Sequence, residues 1–143
     1  MPDDKPFATI PSPFVVTEEK VKQLLCDAFE GGSTYWCQIV GFKFPDGILY
    51  KDFREGERFG SKTGEAYWHP HQLIPLHEGC SLKIGDGEGQ KYYSLGRHEL
   101  ERGLHVMAEK HPQHWANVVN DNDDAETGDV YLQCCLFGEI VYG

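Results

Sequence analysis

The chain has no long apolar run, no apolar leader and few cations. Nothing in it approaches the roughly 18 consecutive apolar residues of a membrane span, so no membrane partner is expected. Residues 1–10 set Asp3 and Asp4 beside Lys5 and contain no hydrophobic stretch of the signal-peptide kind, which predicts cytoplasmic residence. Only 13 Lys and Arg stand against 23 Asp and Glu, a formal net charge of −10. That balance repels phosphate backbones, so direct nucleic-acid binding is not expected. The five cysteines are irregularly spaced and include the neighbours Cys134 and Cys135; they give no disulfide framework and read as reduced thiols. Catalytic signatures are missing as well. The glycine run at 85–89 lacks the Lys and the following helix of a phosphate loop, so it reads as a turn, and no cofactor is expected.

What is present fits one folded core. At 143 residues, with 40% hydrophobic and 13% aromatic residues, the chain has the size and composition of a single domain. Residues 1–16 hold four of the eight prolines and no period, which predicts an extended N-terminal arm before a domain over 17–143. Thr17 is placed to cap a helix carrying Val21, Leu24, Leu25, Ala28 and Phe29 on one face, and Gly31 and Gly32 are placed to end it in a left-handed turn. The aromatic and β-branched stretch 33–42 predicts a strand, and 81–84 with 91–95 predicts a hairpin across the glycine run. Residues 44–75 read as a long irregular excursion. A second helix is expected over 98–110, a helical turn over 113–120, and a third helix from Asp123 or Asp124 to about Leu136, ended by Gly138. Residues 139–142 (EIVY) read as a closing strand. Without a βαβ rhythm, this order predicts an α+β fold: a small antiparallel or mixed sheet packed by about three helices.

Three sets of residues invite a functional reading. Residues 99–143 carry nine acidic and two basic residues, and Asp121, Asp123, Asp124 and Glu126 concentrate that charge before an apolar segment. As a calcium loop the run fails, because Glu126 falls where the sharp turn requires Gly. Helix capping and an acidic partner-binding surface are the readings that remain. Gly31, Gly32, Tyr35 and Trp36 combine exposed backbone with aromatic rings and form a candidate ligand site, although a helix C-terminus is the wrong pole for a phosphate. His69, His71, His77 and Cys80 have the residue types of a zinc site, on a strand that would point alternate histidines to one side, but their spacing is uneven. The same residues would serve a metal- or thiol-dependent hydrolase; no spacing selects a Cys–His pair.

Three segments carry a resemblance. VTEEKVKQLLCDAFEGGSTYWC at 16–37, HEGCSLKI at 77–84 and DAETGDVYLQCCLFGEIVYG at 124–143 together resemble a widespread family of short proteins encoded by bacteriophages and prophages. That family shows E-G-G-x-x-Y-W after its first helix and a D-A-D-x-x-D-x-x-x-Q-x-A-L-F-G-E-I-V-Y-G ending; Cys80 here stands where a second glycine is usual. The resemblance spans about half of the chain and leaves 44–75 outside it. It implies context and no reaction: small phage proteins of this kind act on host machinery. The implied partner is a host or defence protein, engaged as an anti-CRISPR or other anti-defence inhibitor engages its target. A nucleotide-signal sponge is the alternative.

Overall fold

A computed structural model of the chain describes residues 7–8, 13–49, 70–87 and 91–143. Helix α1 (Glu18–Asp27) begins where Thr17 Oγ1 accepts the Lys20 amide at 3.2 Å, and Glu18 and Glu19 occupy the positive end of the helix dipole. Val21, Leu24 and Leu25 are its buried face. The helix does not end in a left-handed turn. It widens into a π-turn (Ala28–Gly32), and the glycines with positive φ among the described residues are Gly47, Gly79 and Gly138. Gly32 is needed for a different reason: a Cβ there would overlap the Ala125 carbonyl of the last helix.

Strands β1 (Cys37–Lys43), β2 (Ser81–Asp86) and β3 (Tyr92–Gly96) form an antiparallel sheet in the order β1-β2-β3. Ile39 pairs with Ile84, and Leu82 with Leu95, so one face supplies apolar side chains to the core, with a register shift between Ile39 and Gly41. Lys83 and Tyr92 are exposed, the ammonium lying 4.4 Å above the ring centroid. Between β1 and β2, helix α2 (Pro70–Leu73) runs into a 3₁₀ turn (Ile74–Leu76). The excursion expected over 44–75 is therefore helical at its end, and most of it lies outside the described residues.

After the sheet come α3 (Arg97–Lys110), α4 (Pro112–Val119) and α5 (Ala125–Phe137). Among the described residues there are five helices where about three were expected, since the short α2 adds one and α4 extends the single turn read at 113–120 to eight residues. The class is α+β, as expected. Helix α5 is central. It touches α1, the π-turn, α3, α4 and β3, and every residue from Thr127 to Cys135 is buried. Burial on all sides explains why it shows almost no amphipathic stripe. Its ends follow the sequence: Asp124 Oδ1 accepts the Thr127 amide at 2.9 Å, and Gly138 closes it at φ +71°.

The closing strand expected at 139–142 does not form. Gln133 takes the place of a neighbouring strand: its Oε1 accepts the Val141 and Tyr142 amides at 2.7 and 2.8 Å, and its Nε2 donates to the Tyr142 carbonyl at 3.0 Å. Of the N-terminal arm, 1–6 and 9–12 lie outside the described residues; 13–17 has no regular structure, and Phe14 meets Trp115 edge-on at 6.0 Å. Among the described residues, no helix is long and apolar enough to cross a membrane.

Candidate functional site

The acidic run folds into a corner between α1 and the loop joining α4 to α5. Residues 20, 23 and 27 share one side of α1, and the loop presents its carboxylates to that side. The Lys20 ammonium lies between Asp121 and Asp123, bonded to Asp121 Oδ1 and, at 2.8 Å, to Asp123 Oδ1. Gln23 Nε2 donates to Asp123 Oδ2 at 3.0 Å. The four candidate carboxylates therefore divide. The Asp123 side chain is fully buried and both its oxygens are engaged. Asp124 is the α5 cap, and that bond to the Thr127 amide lowers its carboxyl below the ordinary value. Asp121, whose side chain is 76% exposed, turns outward from a left-handed backbone at φ +58°, and Glu126 is exposed in the first turn of α5. Burial works against the Lys20 charge, yet the bonds to Asp121 and Asp123 overcome it and raise its pKa.

Asp27 closes the inner side of this corner. Burial first, then the hydrogen bond to Asp123 and the charges of Asp123 and Asp124, push its carboxyl up to about 7 against the pull of Lys20. Burial would raise Asp123 as well, but the bonds from Asp27 and Lys20 hold it below the ordinary carboxylate value.

A second polar cluster centres on Asp129, which the sequence did not single out. Its Oδ1 accepts from Ser33 Oγ at 2.8 Å, Trp36 Nε1 at 2.7 Å and Gln133 Nε2 at 3.2 Å; its Oδ2 accepts from Tyr35 Oη at 2.7 Å. Among the described residues no cation pairs with it, so a buried anion is held by hydrogen bonds alone. Trp36 also stacks on Tyr142 with centroids 4.9 Å apart and packs against Phe137 at 5.5 Å. The signal that could have found this cluster is the i, i+4 spacing of Asp129 and Gln133 within a run of apolar neighbours.

The cluster absorbs the candidate ligand site. Trp36 is buried, Gly31 and Gly32 face Ala125, and the Tyr35 hydroxyl is bound to Asp129; burial and then that carboxylate push the phenol up to about 12. A hollow of about 260 Å³ lies beside them, lined by Phe29, Thr34, Cys37, Gln38, Ile39 and His71. It brings a thiol and an imidazole to one cavity, but burial and the Asp129 charge push Cys37 up to about 12, so about one thiol in 10⁵ is ionised at pH 7.

Among the described residues the histidine set does not converge. His69 lies outside the described residues, and His71 sits in α2 rather than on a strand, so the alternate-residue geometry does not apply. Its Nε2 is 3.5 Å from Glu30 Oε2 and its ring 5.7 Å from Phe29. His77 follows the 3₁₀ turn and Cys80 is in the core. Among the described residues no group of three His, Cys, Asp or Glu side chains is placed to hold a metal. Burial raises every thiol: Cys26, with Glu30 adding to it, and Cys134 to about 11, Cys80 and Cys135 also upward. No family model, no curated protein and no solved structure matches the chain, which leaves its own residues as the ground for a functional reading.

Proposed function

We propose that this chain is a non-enzymatic binding protein of the bacteriophage type, which docks on a basic site of a host or defence protein through the acidic corner at the α1–α5 junction. The observation that carries this reading is the arrangement of that corner. Asp121, Asp124 and Glu126 are exposed on a loop and helix end held in place by the buried Lys20–Asp123 contact. Carboxylates fixed in this way lose little freedom on binding, and their field steers a positively charged partner toward them. The raised pKa of every thiol supports binding over thiol chemistry.

The test is charge reversal confined to the outward residues. Asp123 and Asp124 hold the fold, so the informative variant is D121K/E126K, with E109K on α3 as a control of equal chemistry elsewhere. A partner captured by cross-linking from bacterial lysate is identified, purified and titrated against each variant. The reading predicts at least a tenfold loss of affinity for D121K/E126K, weakened binding at high salt, and an unchanged E109K. Equal affinities for all three proteins would overturn it.

A further inference from the structure

Asp27 and Asp123 meet where the end of α1 touches the loop entering α5, and the two carboxyls are supplied unequally. Asp123 receives Lys20 on one oxygen and Gln23 on the other. Asp27 Oδ2 is buried, and among the described residues no N–H or O–H reaches it. The Asp27 carboxyl adjoins that of Asp123, which is held below the ordinary carboxylate value and so has no proton to give. Gly128 lets α5 press against this end of α1: a Cβ there would lie 2.5 Å from Asp27 Cβ and 2.7 Å from the Ala28 amide nitrogen, so the two helices are already at closest approach. One proton on Asp27, donated to Asp123, satisfies both groups.

We propose that this shared proton is a latch: it fastens α1 to the entry of α5 while Asp27 is protonated, and the junction loosens when Asp27 ionises. The charged and titratable groups around Asp27 are Lys20 and Cys26 from α1, and Asp123 and Asp124 from the loop, with Asp121 bound to Lys20 and His114 of α4 facing Asp124. Lys20 alone favours ionisation; Asp123 and Asp124 oppose it. With the folded carboxyl titrating near 7 and the unfolded one near 3.8, the unfolded chain releases its proton first as pH rises. The stabilising contribution is therefore complete below about pH 4 and is lost as pH rises through about 7. Asp123, depressed in the fold, acts in the opposite sense and only as pH falls below its unfolded value.

The test uses the full chain. The side-chain carboxyl carbon of Asp27 is followed by NMR from pH 3 to 9, and urea midpoints are measured over the same range for wild type, D27N and D123N. Asn at 27 supplies a permanent N–H donor without a charge. The expected results are a wild-type Asp27 midpoint near 7, a fall of more than one unit in D123N, and a urea midpoint that declines from pH 5 to 8 in wild type but stays level in D27N. Asp27 titrating below pH 5 in wild type, or parallel pH profiles for wild type and D27N, overturns the proposal. If D27N does not fold, the wild-type titration and its change in D123N decide alone.

Discussion

Replacing Asp129 with Ala tests whether hydrogen bonds alone hold the centre of the molecule together. The substitution removes an acceptor used by Ser33, Tyr35, Trp36 and Gln133. Ser33 and Trp36 are buried at 0% and 2% exposure, so their donors become orphans, at about 1–3 kcal/mol each. The other two lose less: the Tyr35 ring is 57% exposed and its hydroxyl can turn to water, while Gln133 keeps its bonds to Val141 and Tyr142. Removing an unpaired buried carboxylate returns part of the loss. The net expectation is a destabilisation of about 3 kcal/mol, which at an m-value of about 2 kcal/mol/M lowers the urea midpoint by roughly 1.5 M. D129N retains one carbonyl acceptor for Ser33 and Trp36 and can offer its amide to the Tyr35 oxygen, so its expected cost is about 1 kcal/mol. Far-UV circular dichroism melts in urea measure both. A loss under about 1 kcal/mol for D129A would refute the accounting of orphaned donors, and D129N costing as much as D129A would assign the effect to charge rather than to acceptor count.

Two more substitutions test the packing around α5. G128A places a methyl group into the Asp27–Ala28 backbone, and a loss of about 3 kcal/mol in urea unfolding is expected; an unchanged midpoint would mean that α1 and α5 separate freely. Q133A removes the acceptor for the Val141 and Tyr142 amides, so amide hydrogen exchange at those two residues should accelerate by at least tenfold while the Val130–Leu132 amides stay protected. Exchange that rises equally throughout α5 would instead mark a global loss of stability.

Local chemistry carried much of the fold into view. Thr17, the apolar spacing of α1, the glycine run between β2 and β3, and the Asp124 and Gly138 ends of α5 are signals contained within a few residues, and each describes the element it belongs to. What escaped depends on residues far apart in the chain. EIVY has the β-branched and aromatic content of a strand, and only the side chain of Gln133, placed under it by the turn at Gly138, makes it a pinned segment. Gly31 and Gly32 read correctly as a helix end and incorrectly as a left-handed one; the requirement falls on Gly32 and comes from the Ala125 carbonyl, more than ninety residues later. The acidic run had the same difficulty. Its composition is local, but the division into structural and outward carboxylates is set by Lys20, about a hundred residues upstream.

That division assigns a use to nearly every polar letter at the start of α5. Asp124 caps the helix, the Ala125 carbonyl occupies the space left by Gly32, Thr127 accepts from Asn117, Asp129 gathers four donors and Gln133 holds the tail. The segments at 30–36 and 124–143 thus meet around one carboxylate, and their pattern of Gly, Tyr, Trp, Asp and Gln follows from the needs of the core. Glu126 is the exception. It is exposed, and its place in the first helical turn supplies at most a dipole interaction of about 0.3–1 kcal/mol. Asp121 is similar: it holds Lys20 with one oxygen, yet Asp123 already neutralises that ammonium from the buried side. Folding accounts for the inner carboxylates and leaves these two outward ones largely unexplained, which is why the proposed partner contact is placed on them.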